Sequence, residues 1–135
     1  MSQTAAMLAA HPADLGQLDQ EALVTCIDAC MVCAQTCTAC ADACLSEEMI
    51  AQLRTCIRTD LDCADTCEVT ARVLSRHTDS DVTLTRALLQ ACVAACKACG
   101  DECAAHASMH EHCRICAEVC RACEQACINL LNSLG

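Results

Sequence analysis

The chain contains no Phe, Tyr or Trp, only three Gly and a single Pro. Without aromatic rings there is no platform on which the bases of a single-stranded nucleic acid could stack, and there is no cofactor loop or Gly-rich substrate pocket. The near absence of both helix breakers argues against a secreted disulfide scaffold, which is rich in loops and in the Gly and Pro that punctuate them. Lys and Arg number 8 against 18 Asp and Glu, a net charge of -10, whereas nucleic-acid binding calls for clustered positive charge. No Lys or Arg precedes Arg54, so the opening MSQTAAMLAAHPADLG lacks the basic region of a secretory or twin-arginine signal, and a cytoplasmic location is expected. No apolar stretch approaches the roughly 20 residues that span a bilayer, so no membrane is expected as a partner.

What the chain does contain is cysteine, 18 of 135 residues, in a composition that is 55% apolar. The length allows one domain, 1–135, with enough apolar content to bury a core. Cytosolic thiols stay reduced, so so many cysteines point to metal binding or reactivity rather than cross-linking.

Residues 1–16 hold a short apolar patch, Ala5 to Ala10, ended by His11, Pro12 and Gly16, which reads as a short N-terminal helix or arm. From Leu18 to Cys44 no Pro or Gly intervenes and helix formers are frequent, which predicts a first long helix. Ser46 is placed to cap a second, with Glu47 and Glu48 in its first turn where the helix dipole favours acids, running to about Ser75. The polar stretch from His77 to Asp81 predicts a loop, with Asp79 or Ser80 capping a third helix that lasts to about Ala107. A fourth starts near Met109 and ends with Asn132 and Gly135. Gly100 inside the third helix costs about 0.5 to 1 kcal/mol relative to Ala, and close packing against a neighbour is its expected reason. Four long helices joined by short connections predict an all-α, antiparallel up-down-up-down four-helix bundle over residues 18–134.

The cysteines fall on that framework in a single rhythm. The first long helix carries Cys26, Cys30, Cys33, Cys37, Cys40 and Cys44; the third Cys92, Cys96, Cys99 and Cys103; the fourth Cys113, Cys116, Cys120, Cys123 and Cys127. Alternating steps of four and three mark an inward-facing seam. The second helix keeps the register more sparsely, through Met49, Leu53, Cys56, Asp60, Cys63, Cys67, Thr70 and Leu74. A few such cysteines would pass as small buried hydrophobes, but a seam built mostly of them leaves space that Leu would fill, at about 24 cal/mol per cubic ångström of cavity. Something is expected to occupy it.

Thiols at i and i+4 on a helix, with Cβ atoms about 5 to 6 Å apart, can grip an ion of low coordination number; a linear S–metal–S unit spans roughly twice 2.3 Å. Thiolates select Cu(I), whereas structural zinc needs four tetrahedral ligands that a continuous helical stripe presents awkwardly. One Cu(I) per thiolate is neutral, while zinc with four thiolates buries net negative charge. Iron–sulfur binding is disfavoured by the absence of the CxxCxxCxxxCP run. Copper therefore ranks above zinc, zinc above iron–sulfur clusters, and a disulfide framework last.

The CxxxC and CxxC ladders of the first, third and fourth helices, the inward cysteines of the second and the His-rich turn AAHASMHEHC resemble the bacterial copper storage proteins, in their cytosolic branch. The resemblance covers Leu18 to Leu134. It implies storage and sequestration of many Cu(I) ions by thiolates lining a bundle core, assembly as a homotetramer, and metal admitted at one end, with a copper chaperone as a candidate donor. All 18 cysteines are candidate ligands. Asp60 departs from an all-cysteine seam and is a candidate weak ligand or proton acceptor.

Antiparallel topology brings the turn bearing Cys44 and Met49 beside the one bearing Cys103, His106, Met109, His110 and Cys113. On continued register His106, Met109 and His110 fall on the seam, and with Met49 they are candidate soft or borderline ligands for an incoming ion. His11, His77 and His112 are assigned to solvent. The opposite end gathers Leu23, Leu74, Leu88, Leu89, Leu130, Leu131 and Leu134 as an apolar plug. Off the seam, Ile27, Met31, Ile57, Val69, Val73, Val93, Ile115, Val119 and Ile128 supply more apolar surface than one bundle needs, which permits oligomerisation. No lone activated cysteine with a base is evident, so the expected role is non-catalytic copper storage; the alternative is a cysteine-rich redox, electron-transfer or zinc-binding protein.

Overall fold

The computed structural model describes residues 2–134; Met1, and the Gly135 expected to close the last helix, lie outside that range. A short helix, α1 (Gln3–Ala10), precedes four long ones: α2 (Gln20–Leu45), α3 (Arg54–Leu74), α4 (Val82–His106) and α5 (Glu111–Ser133). Each of α2 to α5 packs its backbone against two neighbours, in the ring α2–α3–α4–α5, and the diagonal pairs meet only through side chains across the core. Sulfur pairing sets the directions. Cys30 meets Cys92, and Cys37 meets Cys99, so α2 and α4 run alike. Cys26 meets Cys127 and Cys37 meets Cys116, so α5 runs against α2. This is the expected antiparallel four-helix bundle with an N-terminal helix.

Local chemistry explains most of the helix ends. Ser2 caps α1, Asp19 caps α2 and Asp81 caps α4, each side-chain oxygen accepting a backbone N–H of the first turn. The α4 cap is thus one or two residues later than expected, because Asp79 takes a left-handed conformation, φ 54°, and turns the chain before the helix begins. Gly16, at φ 62° with an N–H to the Asp14 carboxylate, makes the corresponding turn between α1 and α2. The arm docks through buried Leu8 and a 2.5 Å hydrogen bond from Thr4 Oγ1 to Asp28 Oδ1.

The α2–α3 junction departs from expectation. Ser46 ends α2 instead of starting α3, its N–H bonding back to Ala43 and Cys44. A turn and a 3-10 segment, Ile50–Leu53, follow before α3 begins at Arg54. Glu47 therefore does not serve a helix N-terminus; it turns across the bundle end toward α5.

Gly100 is buried, and a Cβ there would lie 3.0 Å from the Arg121 guanidinium of α5, which bonds Asp101 at 2.6 Å. Close packing is its reason, as the sequence suggests. By length and composition, α2 and α4 are apolar enough to cross a membrane, with mean hydropathy 1.5 and 1.3, contrary to the expectation that no stretch would qualify. Their apolarity is largely cysteine and alanine, and all ten of their cysteines face the bundle core.

Candidate metal centre

Helical periodicity delivers all 18 thiols to one place: each is buried, none by less than 98%, and none is disulfide-bonded. Small residues between them, Ala41, Ala64, Ala71, Ala117 and Ala126, are buried as well and let the helices approach closely. The sulfurs touch. Within helices Cys33–Cys37 and Cys63–Cys67 are 3.8 Å apart, Cys99–Cys103 3.9 Å and Cys116–Cys120 4.0 Å. Between helices the contacts are as close: Cys67–Cys92 and Cys67–Cys96 at 3.7 Å, Cys33–Cys63 at 3.8 Å and Cys37–Cys120 at 3.6 Å. The space expected to need a filler is thus closed by sulfur meeting sulfur. A linear S–metal–S unit of roughly 4.6 Å requires each pair to part by about an ångström or less, which cysteine side-chain rotation provides.

Quartets of mutually adjacent sulfurs recur along the axis: Cys30, Cys92, Cys123 and Cys127; Cys33, Cys63, Cys67 and Cys96; Cys37, Cys99, Cys116 and Cys120; Cys40, Cys44, Cys56 and Cys113. Each draws on at least three helices. Crowding of thiols splits their acidities. Cys26 falls to about 5, Cys33 to about 6 and Cys40 to about 5, held down chiefly by hydrogen bonds from Cys127, Cys120 and Cys103 respectively. Burial instead drives Cys44 and Cys113 up.

Asp60 interrupts the column. Its Oδ1 accepts from Cys99 at 3.0 Å and from Cys103 and Cys116 at 3.3 Å, so one carboxyl oxygen ties α3 to α4 and α5. Burial, reinforced by the Cys99 hydrogen bond and by neighbouring thiolates, pushes it up to about 12. It is a neutral acid among thiols, at a position that bridges three ladders.

The two ends differ. At the leucine end, Leu23, Leu74, Leu89 and Leu130 are buried, while Leu88, Leu131 and Leu134 are only half-buried. Thr70, with its hydroxyl on Thr66 O, is buried on the same helix between the last α3 cysteine and Leu74. His11 and His77, expected in solvent, are half-buried there with rings edge-on at 5.2 Å. Burial, then the charge of His11, lowers the His77 pKa.

At the opposite end, the mouth, the helix break at residues 107–110 interrupts the register on which the histidines were placed. His110 becomes the N-cap residue of α5 and is buried. Met109, expected on the seam, turns outward and is 60% exposed; Met49 is half-buried in the α2–α3 turn. His106 pairs with Glu102 at 3.2 Å along its own helix. His112, assigned to solvent, instead points Nδ1 at Cys40 Sγ, 3.4 Å, and Cys113 Sγ, 3.6 Å. Burial lowers its pKa, but hydrogen bonds with Cys40 and Glu47 outweigh this and raise it. The missed signal is adjacency: His112 precedes Cys113, and in the first turn of α5 it swings over the bundle end.

Fold and site define a class, a helical bundle whose core is a column of contacting thiols suited to thiophilic ions. Residues 19–132 match the family described as copper storage protein. The chain is 62% identical to the copper storage protein Ccsp from Streptomyces lividans in a structure loaded with 10 copper equivalents, covering 97% of this chain and 99% of that one with a TM-score of 0.96. Another structure, of copper loading to a cytosolic copper storage protein from Streptomyces lividans with five coppers, gives 66% identity, coverages of 89% and 100%, and a TM-score of 0.87. The uncharacterized cysteine-rich protein YhjQ of Bacillus subtilis is 35% identical over 102 residues, 76% of this chain and 89% of its own length. The chain belongs to the copper storage protein family.

Proposed function

We propose that this chain stores copper as Cu(I) in the cytosol, without catalysis, and that its 18 cysteines are the ligands. The observation that carries the reading is the continuous sulfur column, with every thiol buried and neighbouring sulfurs 3.6 to 4.0 Å apart on four helices. Where each sulfur bridges two ions and each ion takes two sulfurs, charge is neutral and capacity is on the order of one ion per cysteine. The likeness to a copper-loaded relative at a TM-score of 0.96 supports loading within this backbone, by side-chain rotation rather than by rearranging helices. Asp60 is the carboxyl donor within the column. The mouth is the uptake end: His112 lies over its cysteines with His110 stacked on it, His106 stands on its rim beside Glu102, and Met49 and Met109 flank it as accessory thioethers. A cytosolic location is supported by a relative described as cytosolic. Assembly as a homotetramer, supported by exposed Met31, Val69 and Ile115 on the outer faces, and delivery by a copper chaperone complete the reading.

Anaerobic Cu(I) titration of the reduced protein, with independent metal analysis, tests it. Uptake close to 18 equivalents in competition with a moderate-affinity Cu(I) chelator is expected. Failure to outcompete the chelator, or preferential uptake of zinc, overturns it.

A further inference from the structure

Glu47 occupies the turn that follows α2, and its two carboxylate oxygens face two different histidines at the start of α5. Oε2 lies 3.3 Å from His110 Nδ1, and Oε1 lies 3.3 Å from His112 Nε2. The two rings stack, with centroids 5.5 Å apart and planes 18° from parallel. Each ring thus turns a different nitrogen toward the same carboxylate, His112 Nε2 in a hydrogen bond and His110 Nδ1 at ion-pairing distance. For His112 the remaining Nδ1 faces the sulfurs of Cys40 and Cys113. For His110 the remaining Nε2 is buried and has no hydrogen-bond partner, in a side chain only 8% exposed as a residue. A buried polar atom left unsatisfied costs about 1 to 3 kcal/mol, so an unpartnered imidazole nitrogen in a ring stacked on His112 marks a position where a ligand is to be received.

An ionised carboxylate accepts hydrogen bonds and cannot donate them. The ring nitrogens that face Glu47 therefore carry the hydrogens, and in the neutral rings the opposite nitrogens carry the lone pairs. Since the facing atoms are Nδ1 in one ring and Nε2 in the other, a single side chain selects opposite tautomers in two adjacent histidines. Carboxylates that orient metal-binding imidazoles through the distal N–H are a general device; here one carboxylate does so for two rings of opposite sense.

We propose that Glu47 is a positioning residue for copper uptake, holding His110 with its lone pair on Nε2 and His112 with its lone pair on Nδ1 at the mouth of the thiol column. This rests on the reading of that mouth as the uptake end. Glu47→Gln is the discriminating variant, because the amide keeps the shape and hydrogen-bonding reach of the side chain but offers one acceptor and one donor group. It can satisfy one ring in the original tautomer and must invert the other.

Two measurements on the reduced full-length protein separate the outcomes. Long-range 1H–15N correlation spectra of histidine-labelled, metal-free protein, recorded where both rings are neutral, read the tautomers directly. Stopped-flow transfer of Cu(I) from a chelated donor reads uptake. The wild type is expected to show His110 protonated on Nδ1 and His112 on Nε2, Glu47→Gln to invert one of them, and its initial uptake rate to fall by about 10-fold, the scale on which such supporting carboxylates act. Wild-type rings that share one tautomer overturn the proposal, as do tautomers indifferent to Glu47→Gln, or tautomers that change while uptake does not. His110→Ala distinguishes the underlying reading: if that variant takes up Cu(I) as fast as the wild type, the mouth is not the uptake end, whereas slow uptake with tautomers independent of Glu47 leaves the mouth in place and removes the role of Glu47.

Discussion

A thiol and a carboxylic acid are both neutral when protonated, and the core of this bundle is assembled from groups that burial keeps that way or that trade protons only with one another. Asp60 is the sharpest case. With its pKa at about 12 in the folded protein against an ordinary 3.8, it binds a proton in the native state that the unfolded chain has lost at neutral pH. Its contribution to stability is fully present below the unfolded value and declines as pH rises from about 4 toward 12. Asn at this position keeps a neutral side chain of the same size and has nothing to titrate. Asp60→Asn is expected to make the metal-free reduced protein more stable than the wild type, by about 1 to 4 kcal/mol near pH 8 and by much less near pH 5, in chemical denaturation. An equal effect at both pH values would show that Asp60 ionises freely in the bundle. Asp60 could be found in the sequence as a break in the cysteine register, but its environment could not, because the thiols that surround it come from α4 and α5.

At the scale of the helix, the bundle divides into a sulfur column and an aliphatic plug, and the two do different work. Sulfur contacts are weak individually, and cysteine buries less apolar area than leucine, so the metal-free fold relies on Leu23, Leu74, Leu89 and Leu130 at the closed end. A partly open pocket of about 110 Å³ is lined there by Leu23, Leu74 and Leu130 together with Arg76 and His77. Leu89→Ala should cost the metal-free protein about 2 to 5 kcal/mol. If copper bridges thiols of the four helices it binds the native state more tightly than the unfolded chain, so the same variant loaded with copper is expected to lose far less melting temperature than the metal-free variant does; equal losses would show that the plug matters as much in the loaded state. Helices, their seam and the plug were legible from period and composition. The α2–α3 junction was not: Ser46 and the two glutamates satisfy a capping pattern locally, but Glu47 lies within 3.3 Å of two histidines that are more than 60 residues away in sequence.

The whole molecule has polarity, with leucines at one end and histidines at the other, inside a surface of net charge -10 that draws cations toward it. If copper passes the histidine end, then removing imidazoles there changes the rate of filling and not the number of sites in the column. His106→Ala combined with His110→Ala is expected to slow Cu(I) transfer from a chelated donor while total uptake stays close to that of the wild type, for which one ion for each of the 18 cysteines is expected. Unchanged kinetics would place uptake elsewhere, and a large loss of capacity would make these histidines storage ligands.

By itself the sequence determined that this chain forms long helices, that each helix carries its thiols on one stripe, and that the stripes must meet, because 3.6 residues per turn place every third and fourth residue on one face and apolar faces seek burial. Only the tertiary structure decided which sulfurs become neighbours and what stands at the mouth. Cys37 meets Cys120 and Cys116 because antiparallel helices bring residues far apart in the chain to one level. His112 reaches Cys40, and Met109 faces outward, because the chain leaves helical geometry at residues 107–110 and periodicity carries no information across such a break.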